Sequence, residues 1–175
     1  ISDLAPHTNL DKKRNFVKKV KSLELTKKYF NESNTLSAIE LKEFSLIYLL
    51  INNLELMRHN LHLIENVSLF TEVNKQIFSK IMSKLKSADS LNPQDLEIDE
   101  QLIEKIYKFA PIKYILGKKN KNEHEIIGLL DDINRDLNSY NLELRIQELE
   151  SKFSKDLSET TFNELKELKK KQNIN

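Results

Sequence analysis

Apolar residues recur along this chain in steps of three and four, the rhythm of amphipathic helices. Leu10, Phe16, Val17, Val20 and Leu23 predict one such helix over 9–30, capped by Thr8 or Asn9 and broken near Ser22. The stretch from Asn31 to Thr35 is polar and reads as a loop. Ser37 and Glu40 form a Ser-x-x-Glu capping box. The helix after it carries Leu41, Phe44, Leu46, Ile47, Tyr48, Leu49, Leu50 and Ile51. Apolar positions on nearly every side predict the central helix of a bundle. Asn52 and Asn53 interrupt it, and a shorter helix follows with Leu54, Leu56, Leu61, Leu63 and Ile64. Phe70 precedes another, with Val73, Ile77, Phe78, Ile81, Met82 and Leu85. Asp89 to Pro93 reads as a linker, after which Leu96 and Ile98 lead into a helix with Leu102, Ile103, Ile106, Tyr107 and Ala110 that Pro111 ends or kinks. Gly117 and the Lys-Lys-Asn-Lys-Asn run behind it mark the clearest boundary in the chain.

The last third carries two stripes. Ile126, Leu130, Ile133, Leu137, Tyr140 and Leu144 form one seam of a long helix expected over 123–155. Leu142, Ile146, Leu149 and Phe153 form a second, two residues out of step. Two residues turn a helix by roughly 200°, so the stripes face opposite ways. Such a helix packs on one body early and on another late. The second body is a final helix with Ser158 as N-cap, Glu159 in its first turn, and Phe162, Leu165 and Leu168 as its stripe. Lys166, Lys169, Lys170 and Lys171 suit its C-terminal end. A turn near Asp156 folds it back into a hairpin, which is too small to be stable without leaning on a partner or its carrier helix.

Composition supports an all-α fold. The 175 residues include Gly 2 and Pro 3, too few for the turns of sheet proteins. Lys+Arg 28 against Asp+Glu 27 gives no global field for nucleic acid or membrane. With Cys 0, disulfides and thiolate metal sites are excluded, which is compatible with a reducing cytoplasm without demonstrating it. The longest apolar run, Leu46 to Ile51, is too short to span a bilayer. The chain begins at Ile1 and reads as a fragment of a longer protein.

Candidate chemistry is sparse. His59 and His62 are spaced to share a helical face, but a zinc site needs further ligands, and two surface histidines are the simpler reading. Asp131, Asp132 and Asp136 read as a solvated face beside Arg135. No glycine-rich phosphate loop or nucleophile motif is present. No catalytic, cofactor or metal residue and no small-molecule substrate is expected. The basic stretch from Lys12 to Lys28, with Phe16, Tyr29 and Phe30, reads as a solvated helix whose aromatics are core, with weak DNA contact as the alternative. Self-association through the long helix is disfavoured by the break in its seam.

The order of segments resembles the C-terminal helicase-binding domain of bacterial DNA primase. Three stretches carry the resemblance: Glu43 to Leu56, similar to the family's opening bundle helix and following turn; Phe70 to Leu85; and Leu142 to Lys171, ending in the Phe-x-Glu-Leu-x-x-Leu-x-Lys pattern of Phe162 to Lys170. Asn53-Leu54 stands where the family often has Asn-Pro. The resemblance implies a helical tail over 1–33 leaving an upstream catalytic core, a bundle over 34–118, a connecting helix beginning over 119–141, and a terminal hairpin over 142–175. It implies no catalysis in this fragment. The parent would be a primase, a nucleotidyltransferase, acting at the bacterial replication fork. The hairpin would dock onto N-terminal domains of the replicative helicase through Leu142, Arg145, Ile146, Leu149, Phe153, Phe162, Leu165, Leu168 and Lys169, some as core and some as contacts. The bundle would modulate helicase activity. The helicase's own N-terminal domain shares this architecture and is the alternative; the hairpin at the extreme end favours primase.

Overall fold

The computed structural model describes residues 24–87, 96–117 and 122–172. The helix caps at Thr8 and Asn9, the basic residues Lys12 to Lys21, the linker at Asp89 to Pro93 and the run at 118–121 fall outside them. The chain divides into two compact units, Ile1–Asn34 and Thr35–Asn175. In the first, α1 spans Glu24–Ser33, so the helix runs through part of the polar stretch expected to be loop.

Among its described residues the second unit contains helices, turns and connecting loops and no strand. Its helices are α2 (Ala38–Asn52), α3 (Leu54–His59), α4 (Glu72–Ser87), α5 (Glu100–Phe109), α6 (Lys113–Leu116), α7 (Glu123–Phe153) and α8 (Glu159–Gln172), with a 3₁₀ turn at Leu61–Leu63. The capping box at the start of α2 is formed. The Glu40 amide donates to Ser37 Oγ at 3.2 Å and the Ser37 amide to Glu40 Oε2 at 2.9 Å. Removing that cap by Ser37→Ala should lower stability by about 1 kcal/mol, read as a shifted urea midpoint with an unchanged slope. The long helix α7 opens with a second box, the Glu125 amide donating to Asn122 Oδ1 at 2.9 Å and the Asn122 amide to Glu125 Oε2.

Two helices end where asparagines compete for backbone carbonyls. Asn53 Nδ2 donates to Leu49 O at 2.8 Å where α2 closes, and Asn60 Nδ2 donates to Leu56 O at 2.8 Å where α3 closes. The single helix expected over Leu54 to Ile64 is therefore α3 followed by a tighter turn. At Pro111 α5 gives way to α6, a short helix that the periodicity does not announce.

The core surrounds α2, as its all-round apolar pattern predicts. Leu46, Ile47, Leu49 and Leu50 are fully buried and are joined by Met57, Ile64, Ile81, Leu85, Leu96, Ile106, Leu130 and Leu137. Helices α4, α5 and α7 pack on α2. Tyr48 and Tyr107 stack tilted at 4.9 Å, and the Tyr107 hydroxyl donates to Asn52 Oδ1 at 3.1 Å.

One polar group belongs to this core. Glu43 on α2 has no exposed surface. Its Oε1 accepts from the backbone amides of Phe70 and Thr71, and its Oε2 accepts from Asn74 Nδ2 at 2.7 Å. These donors lie at the entrance to α4, where unpaired amides and the helix dipole favour an anion. Glu43 thus caps α4 from another helix.

The first half of α7 is fixed to the bundle by several unlike contacts. Leu130 and Leu137 are buried, Lys42 pairs with Asp136 at 2.8 Å, and Asn134 Nδ2 donates to Leu63 O at 2.9 Å. Phe70 meets Tyr140 edge-on at 4.9 Å. Beyond Tyr140 the buried residues of α7 move to the opposite face.

Candidate functional site

The C-terminal half of α7 and all of α8 form the hairpin. Ile146, Leu149 and Leu165 make its core, with Leu142 and Leu168 packed at the margins. The two stripes thus bury against separate bodies, as their phase difference requires. The turn closes through Ser154 N to Glu150 O at 2.9 Å and Asp156 N to Lys152 O at 3.0 Å. At the head of α8, the hydroxyls of Ser158 and Thr160 are hydrogen-bonded at 2.6 Å.

The nine residues expected to touch a partner separate into distinct groups. Ile146, Leu149 and Leu165 are buried between the two helices and offer a partner almost no surface. Burial in so small a core takes precedence, because few other apolar residues hold α8 on α7. Leu142 and Leu168 are half-buried at its edge. Arg145 reaches across to Glu164 at 2.7 Å and lies 3.6 Å from Glu148. Its bond to Glu164 raises the guanidinium pKa further. Lys169 reaches Glu150 at 2.6 Å. Both cations clasp the hairpin from outside, where solvent screens such pairs and leaves them a minor part of its stability. Phe153 and Phe162 pack with ring centres 5.7 Å apart.

What remains outward is apolar. Phe162 is 48% exposed and Leu157, in the turn, 80%. Sequence periodicity passes over Leu157 because it belongs to neither stripe; the signal was an apolar residue between Asp156 and Ser158 with no helical partner. Phe162, Leu165, Lys166, Lys169 and Lys170 line a concavity of about 420 Å³ on the outer side of α8. Lys170 bonds Glu167 at 3.0 Å, and this hydrogen bond lowers the pKa of the Glu167 carboxyl.

The other candidates are not assembled into sites. His59 ends α3 and His62 lies in the 3₁₀ turn, so the break at Asn60 removes the shared helical face their spacing predicts. Asp132 lies 3.5 Å from Arg135, and Asp136 serves Lys42. Among the described residues no three His, Asp or Glu side chains are grouped to hold a metal ion, and no helix is long and apolar enough to cross a membrane. Lys27 is exposed on α1.

No protein family, curated protein or solved structure matches this chain.

Proposed function

We propose that this chain is a protein-docking domain whose working end is the α7–α8 hairpin. The observation that carries this reading is a hairpin built on three buried apolar side chains that still leaves Phe162 and Leu157 in solvent at its free end. Exposed aromatics with a charged surround are the usual anchors of protein interfaces. The phase switch in α7 supports it further, since one helix serves both as a wall of the bundle and as the stalk of the hairpin.

The partner we propose is the N-terminal domain of the bacterial replicative helicase, with the chain as the helicase-binding part of a DNA primase. The support is the order of the three sequence segments, from the Glu43 helix through the Phe70 segment to the terminal hairpin. In this reading the fragment has no chemistry of its own, and the primase active site lies upstream. Docking in the cytoplasm at the replication fork holds priming near the moving helicase by raising its effective concentration.

A chain ending at residue 141 tests the assignment. It should keep a helical, cooperatively melting bundle and no longer co-elute with the helicase domain in size-exclusion chromatography. Co-elution of that truncation would refute the proposed role of the hairpin.

A further inference from the structure

The outer face of α8 combines an apolar floor with a cationic rim. Phe162 and Leu165 form the floor of the 420 Å³ concavity, and Lys166, Lys169 and Lys170 stand around it. Two of these lysines are held in place by carboxylates of the hairpin itself, Lys169 by Glu150 and Lys170 by Glu167. Lys166 stands outside those pairs. Phe162 is backed by Phe153, which limits the freedom of its ring. A braced aromatic costs little conformational entropy when it is covered.

We propose that this concavity receives an acidic amphipathic helix of the docking partner. One apolar side chain of that helix seats on Phe162, beside the edge of the buried Leu165, and its flanking Asp or Glu residues reach Lys166, Lys169 and Lys170. The inference rests on the docking reading above and specifies the chemistry of the surface that would dock. Charge complementarity selects the occupant. Among the four lysines of α8 lies Glu167, Glu164 stands two residues before the first of them, and Glu150 approaches from α7. A phosphate backbone presents charge continuously and would meet those carboxylates at every step. Separate carboxylates on a helix, three or four residues apart, can face lysines while avoiding glutamates.

Isothermal titration of the full chain with the helicase N-terminal domain at low and moderate salt provides the test. Phe162→Ala and Lys166→Glu are the variants. Lys166 is exposed, so Lys166→Glu should leave helicity and melting temperature at the wild-type values; Phe162→Ala also removes the contact with Phe153, so exchange protection of the α8 amides is measured beside its affinity. Each should weaken binding about tenfold or more, the scale of an interface anchor. Lys166→Glu should also reduce the dependence on salt. Wild-type binding that neither variant moves by more than about twofold would overturn this inference and leave the docking reading standing. Absence of wild-type binding would overturn the docking reading itself, and the inference with it. A fluorescein-labelled oligothymidylate serves as the parallel probe. Its binding, lost in Lys166→Glu while helicase-domain affinity is unchanged, would assign the face to nucleic acid and overturn the proposal.

Discussion

Replacing Glu43 by Ala should cost about 3–5 kcal/mol of stability, because it strands buried donors as well as removing hydrogen bonds. The carboxylate is completely enclosed and serves the amides of Phe70 and Thr71 together with Asn74 Nδ2. Its removal leaves those donors buried and opens space beside Leu46 and Ile47 at the centre of the bundle. Glu43→Gln keeps the shape and one acceptor oxygen. Asn74 can then turn its own oxygen toward the new amide, so the loss should be about 1–2 kcal/mol. Urea denaturation followed by helical dichroism separates the two variants. Equal losses, or a loss under about 0.5 kcal/mol for Glu43→Ala, would contradict the role of Glu43 as the cap of α4.

Leu149→Ala should uncouple the hairpin from the rest of the molecule. A buried leucine truncated to alanine costs about 2–5 kcal/mol. The bundle can absorb such a loss within its large core. The hairpin core has Ile146, Leu149 and Leu165 at its centre and only Leu142 and Leu168 at its edge. The expected result is local: amides of α8 lose their exchange protection, while those of α2 around Leu46 and Leu50 keep theirs. Binding to the helicase domain should fall with the hairpin, although Leu149 is itself only 3% exposed. Simultaneous loss of protection in α2 and α8 would show one cooperative core in place of two.

The fold was legible in the sequence wherever a helix has a consistent apolar face. The Ser37–Glu40 box, the enclosed α2, the stripe of α4 and the two phases of α7 all appear where periodicity places them. Legibility failed where a single side chain redirects the backbone. The asparagine at position 60 splits one expected helix and separates His59 from His62, because its amide takes a carbonyl that the helix would otherwise hold. Glu43 drew no structural reading beyond opening the Glu43–Leu56 stretch, and only the arrival of the Phe70 segment shows it to be buried. In the hairpin, the stripes identified the residues but not their division of labour. Ile146, Leu149 and Leu165 hold the helices together, leaving Phe162 and the unannounced Leu157 as the apolar surface. That division follows from which atoms two helices share at their crossing, and a one-dimensional pattern does not contain it.

The central claim is that the hairpin, and not the bundle, is the surface that docks. Hydrogen–deuterium exchange of the full chain with and without the helicase N-terminal domain tests it most directly. Slowed exchange should concentrate in the peptides of α8 and the end of α7, with the α2, α4 and α5 peptides unchanged. Protection confined to the bundle, or no protection in either region at saturating helicase domain, would contradict it.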